Sequence, residues 1–121
     1  MEYGAADVKQ TVYFYAQRTG ALATDTQISF ETLVINLGEG LADTGVFTAP
    51  VAGVYFFAFD GAPASVVLEN GNKDLAEVVE GSLSATVELE AGDTVTLVSK
   101  AALTLSPRHY SGLLLKQTVF P

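Results

Sequence analysis

At 121 residues, 49% hydrophobic and 17% charged, the chain has the size of one domain and enough apolar surface to fold, which excludes a disordered protein and argues against a two-lobed enzyme. Zero cysteines remove disulfide scaffolds, thiolate zinc sites and cysteine nucleophiles, and a single histidine cannot build a multi-histidine metal centre. Six basic against fourteen acidic residues leave a formal net charge of -8, the wrong sign for neutralising phosphates, so neither nucleic acid nor an anionic membrane is an expected partner.

The beginning, Met1 to Asp7, has no basic region followed by an apolar run, so no signal peptide is expected in it. A cytoplasmic protein and a domain of a secreted one both remain open. From Thr11 to Ala16 apolar residues alternate, with Val12, Phe14 and Ala16 on one face and Tyr13 and Tyr15 on the other, the pattern of a strand whose two faces are both apolar. A polar stretch to Gln27 precedes two short expected strands, Ile28 to Phe30 and Thr32 to Leu37, and Gly38 to Asp43 reads as loop. The apolar run from Thr44 to Phe59 contains Gly45, Pro50 and Gly53 and is shorter than the roughly 20 residues of a membrane helix. It belongs in a core, with Val54 to Phe59 as a strand.

In the second half, Ser65 to Glu69 and Asp74 to Val79 form an expected hairpin about Asn70-Gly71, a pair that favours positive φ. Ser82 to Glu90 alternates cleanly, Leu83, Ala85, Val87 and Leu89 against Ser84, Thr86, Glu88 and Glu90, and Gly92-Asp93 turns it back into Thr94 to Ser99. Ala101 to His109 reads as loop, with room for one short strand, and Ser111 to Phe120 as a last apolar strand. Period two, with glycine or proline punctuation, predicts an all-β sandwich or barrel of about eight to ten strands and no repeat of fixed period.

Phe30, Asn36, Leu41, Phe47, Gly53, Tyr55, Phe57 and Phe59 fall in the order of a known signature, and Gly45-Val46-Phe47-Thr48-Ala49-Pro50 fits the same pattern. On these residues the chain resembles the globular heads of the complement C1q type, within the C1q/tumour-necrosis-factor jelly-roll group. Val12 to Gly20, Leu68 to Gly71, Leu89 to Val95 and Tyr110 to Leu115 are similar to further anchors of that group, while Thr96 stands where many members carry tryptophan. The resemblance implies a two-sheet antiparallel jelly-roll sandwich spanning 10–121, after an N-terminal arm or stalk remnant at 1–9, and assembling as a trimer. Read without the family, Tyr55, Phe57 and Phe59 are core residues on one strand face, and Asn36 is an amide that satisfies loop backbone groups rather than a ligand contact.

Catalytic machinery is not expected. His109 sits in a Pro-Arg-His-Tyr segment, read as a solvated loop, with no nucleophile elbow in the chain. Glu88 and Glu90 lie on a wet strand face, so a carboxylate pair drawn from Glu77, Glu80, Glu88 and Glu90 is read as surface, and Gly38-Glu39-Gly40 lacks the helix that would receive a phosphate. No cofactor is expected. Calcium is the alternative, because some relatives bind it, but Asp25, Asp43, Asp60, Asp74 and Asp93 are scattered singly and no metal ligand is assigned.

The resulting expectation is a non-enzymatic, secreted, trimeric recognition or assembly head of the C1q-like group, usually carried on a collagen-like or coiled-coil stalk and binding an extracellular protein partner through surface loops. The loops Arg18 to Gln27, Asp60 to Ser65 and Ala101 to His109 are the expected recognition surface. The alternatives are a tumour-necrosis-factor-like cytokine ligand and a structural capsid or fibre trimer head. Tyr13, Tyr15, Val54 and Phe56, large apolar residues on the strand faces that the core does not need, are the expected trimer interface.

Overall fold

In the computed structural model, which describes residues 11–61, 66–71, 73–78, 81–104 and 106–118, the period-two segments become ten strands. They are β1 (Tyr13–Arg18), β2 (Thr26–Gln27), β3 (Thr32–Leu37), β4 (Phe47–Thr48), β5 (Gly53–Asp60), β6 (Val66–Asn70), β7 (Lys73–Glu77), β8 (Ser82–Leu89), β9 (Thr94–Ser99) and β10 (Arg108–Gln117). One sheet runs β3-β1-β10-β5-β8; the second runs β2-β9-β6-β7, with β4 pairing β9. All the pairings are antiparallel.

The core fills the space between the sheets because each strand turns every second side chain inward. From β5 come Tyr55, Phe57 and Phe59, from β1 Phe14 and Ala16, from β10 Tyr110, and from the opposite sheet Val66, Leu68, Val95 and Leu97, all buried. Phe47 meets Phe14, Tyr55 and Phe57 at ring separations of 5.4 to 5.5 Å. Burying each such side chain contributes roughly 1.5 to 3 kcal/mol. Gly112 in β10 is required by this packing: a Cβ there would lie 2.4 Å from Cε2 of Phe14 and 2.9 Å from Cδ1 of Phe57. Asn36 does what its position predicts: its Nδ2 donates to the Leu41 carbonyl at 2.9 Å and its Oδ1 accepts the Leu41 N–H at 3.2 Å.

Several boundaries differ from the expectation. Ile28 to Phe30 is not a strand. The paired register with β9 ends at Gln27, and the last bond to it is the Ile28 N–H donating to the Leu97 carbonyl at 2.8 Å; Ile28 and Phe30 are buried while the Ser29 carbonyl and hydroxyl accept from Arg18. The hairpin turn is displaced by one residue, since Asn70 pairs with Lys73 and Gly71, at φ 59°, opens the connection. The final strand starts at Arg108 rather than Ser111, because β10 is flanked by β1 and β5 and both pair with it from His109 onward. His109 is therefore a strand residue, half-buried, not a solvated loop residue. The expected arm at 1–9, and the expected strand ends Ser65, Val79 and Phe120, lie outside the described residues.

Candidate functional site

The two antiparallel registers of β10, and those of its neighbours, place residues in rows across the outer face of the first sheet. One row reads Leu37, Tyr13, Leu113, Phe56, Thr86; the next Ile35, Tyr15, Ser111, Ala58, Ser84; the third Thr32, Gln17, His109, Asp60, Ser82. The face thus grades from apolar, near the start of β1, to polar at its end. All four expected interface residues, Tyr13, Tyr15, Val54 and Phe56, lie on this one face and are half-buried in the protomer. Ile35, Leu37 and Leu113 share it and were not singled out from the sequence; Leu37 is 46% exposed. Their orientation follows from strand register: the irregularity at Val34 sets Leu33 opposite the inward-facing Ala16, so alternation along β3 alone does not place Ile35 and Leu37 on this face. Val34 and Leu115, each 55% exposed, are the extra residues at irregularities in β3 and β10.

The polar end carries a side-chain relay. Gln17 Nε2 donates to the Tyr15 hydroxyl at 3.1 Å, and that hydroxyl lies 2.8 Å from Nδ1 of His109, the two rings stacked at 6.0 Å and 7°. With Gln17 donating to its oxygen, the Tyr15 hydroxyl has its proton free for Nδ1 in the tautomer that carries the ring hydrogen on Nε2. The row continues into an open pocket of about 440 Å³, lined by Tyr15, Asp60, Ser82, Ser84, His109 and Ser111 among others.

Beyond the polar row, two of the three expected recognition loops are tied together. Leu22 and Leu103 exchange backbone hydrogen bonds of 2.9 and 2.7 Å, and Ser106 N–H donates to Thr19 O at 3.1 Å. Beneath them Arg18 and Arg108, partners across β1 and β10, direct their guanidinium groups at loop carbonyls. Arg18 donates to Gly20, Ala21 and Ser29, and Arg108, 1% exposed, donates to Gly20, Thr104 and Ser106. Burial, and secondarily the charge of Arg18, hold the Arg108 guanidinium below its ordinary pKa. The carboxylate of Glu31 accepts the Thr19 N–H, which lowers its pKa from the ordinary value. Of the third loop, Gly61 is described: its N–H donates to Gly81 O at 3.0 Å, and it packs so closely on Pro107 that a Cβ would lie 2.4 Å from the Pro107 carbonyl oxygen.

The residues weighed for catalysis do not converge. Glu77, Glu88 and Glu90 are exposed, while Glu80 lies outside the described residues. Among the described residues no group of three or more His, Asp or Glu could hold a metal ion.

A family model described as "C1q domain" matches residues 13–115. Among solved structures, the globular domain of zebrafish complement 1qA protein superposes with a TM-score of 0.73 at 20% identity, covering 88% of this chain and 99% of that one. The vertex protein P5 of PRD1 follows at 0.61 and 14%, covering 88% and 99%, and the Eiger TNF of S. frugiperda at 0.59 and 12%, covering 93% and 98%. Among curated protein sequences no relative matches. The two-sheet antiparallel arrangement is the jelly-roll fold that these structures share.

Proposed function

The chain belongs to the C1q domain family, and from that premise we propose that it is a homotrimeric recognition or assembly head. C1q/TNF-type domains are a non-enzymatic group and typically extracellular; the reading extends both properties to this chain and assigns it no cofactor. The outer face of the first sheet is the subunit contact, through Tyr13, Tyr15, Val54 and Phe56 together with Ile35, Leu37 and Leu113. The fused loops around Leu22 and Leu103 choose the extracellular protein partner.

One observation carries the reading. A sandwich needs one apolar face per sheet, yet the first sheet has a second: Leu37, Tyr13, Leu113 and Phe56 cross it in a single row. Soluble monomers rarely expose such a contiguous patch, and covering it by copies of the same chain removes it from water. Phe56→Glu places a charge in the middle of that row. At micromolar concentration, light scattering after size exclusion is expected to show the variant as a folded monomer, with its β circular dichroism retained, where the parent is a trimer. A Phe56→Glu protein that stays trimeric would remove this face from the contact.

A second reading is favoured by the likeness to the PRD1 vertex protein: a structural trimer head whose task is assembly itself. It keeps the same subunit contact. A receptor-binding cytokine, supported by the likeness to the Eiger TNF, keeps it as well, and receptor-dependent signalling separates that reading from both.

A further inference from the structure

Resting on the trimeric reading, we propose that His109 makes the assembly acid-labile: the trimer holds while the imidazole is neutral and comes apart as the imidazole takes a proton. His109 is the chain's single histidine and stands in the middle of the polar row, on the face that carries the subunit contact. The unperturbed pKa of imidazole, about 6.5, makes it the side chain best suited to titrate between pH 5 and 8.

The groups that face the ring are few. From β1 come Tyr15 and Gln17, from β5 Asp60, and from β8 the hydroxyls of Ser82 and Ser84. Arg108, next to His109 in the chain, and Arg18, its partner across β1 and β10, are anchored on the loop carbonyls of Gly20, Ala21, Ser29, Thr104 and Ser106. Asp60, paired with His109 across β5 and β10, is the one carboxylate facing the ring among the described residues, and it is exposed in the free protomer, where solvent screens it.

In the tautomer with the ring hydrogen on Nε2, Nδ1 is the nitrogen that takes the proton, and it is the nitrogen engaged by Tyr15. Once Nδ1 carries a proton it becomes a donor, so the Tyr15 oxygen has to accept from both Gln17 and His109, and the hydroxyl proton must find another acceptor. In a free protomer, water supplies that acceptor and solvates the cation. Under a covering subunit both are desolvated, and an unpaired buried polar group is costly. Assembly therefore favours the neutral ring, and the sign of the linkage follows: acid weakens the trimer. With one histidine per protomer, the assembly constant is expected to fall by up to about a thousandfold per pH unit below the titration.

Sedimentation velocity of the full chain at fixed micromolar concentration, at pH 7.5 and 5.5, tests this. The expected result is a trimer at pH 7.5 that shifts reversibly towards monomer at pH 5.5, with His109→Gln trimeric at both. A wild-type trimer unchanged at pH 5.5 overturns the switch and leaves the trimeric reading standing. A monomer at pH 7.5 overturns both. Acid dissociation that persists in His109→Gln overturns the assignment to this residue. Should that variant not assemble, the ring proton of His109 gives the answer in the wild type by nuclear magnetic resonance, as the one histidine signal. Its titration midpoint should fall as protein concentration rises; a midpoint independent of concentration overturns the proposal.

Discussion

Tyr110 and Tyr55 are both fully buried in the aromatic core, but only one of them has a partner for its hydroxyl. Tyr55 donates to the Val51 carbonyl at 2.6 Å, whereas the hydroxyl of Tyr110, packed against Phe14 at 4.8 Å and Phe30 at 5.2 Å, has no hydrogen-bond partner among the described residues. Because an unpaired buried hydroxyl costs about 1 to 3 kcal/mol while a satisfied one contributes about 1, the two Tyr→Phe substitutions should act in opposite directions. Urea unfolding should show Tyr110→Phe more stable by about 1 kcal/mol and Tyr55→Phe less stable by a similar amount. Burial raises the pKa of both phenols. The unfolded chain ionises them near pH 10, so their contribution is complete below that pH and is lost as the pH climbs towards the raised folded values. Tyr110→Phe should flatten this alkaline decline; an unchanged slope would contradict the assignment. Nothing in the sequence distinguishes these tyrosines, since each alternates inward in an apolar strand and its hydroxyl partner is set by tertiary structure.

At the scale of elements, alternation made β5, β8 and β9 legible to within a residue or so, because one strand face is apolar throughout β5 and β8 and up to Ser99 in β9. It failed where polar residues occupy inward positions. Arg108 opens β10 and points into the protein, so Pro-Arg-His-Tyr reads as loop although it is the start of a central strand. The reason is chemical: the guanidinium satisfies the Gly20, Thr104 and Ser106 carbonyls, which have no strand to pair with. Such a cation is retained for the backbone groups it serves: removing it strands the Thr104 and Ser106 carbonyls and leaves Gly20 with Arg18 alone. Arg108→Met should destabilise the domain by about 2 to 4 kcal/mol. Hydrogen exchange should show the largest loss of protection at Leu22, Leu103 and Ser106, the amides that join the two loops. Loss spread evenly over all ten strands would argue against a local clamp.

For the molecule as a whole, the fold was legible because the spaced aromatic signature and the period-two pattern point the same way. The candidate contact face was legible in part. Tyr13, Tyr15, Val54 and Phe56 could be placed by parity along their own strands, but Ile35, Leu37, Leu113 and His109 join them only through the pairing of β3 and β10 with β1. Register is a property of two strands, and neither strand alone displays it. The claim on which the functional account turns is that this face is covered by copies of the same chain in three-fold closure. Sedimentation equilibrium of the wild-type protein at micromolar concentration and pH 7.5 tests it most directly: the account predicts a single species of three times 12.7 kDa, and a stable monomer or a closed dimer under those conditions would contradict it.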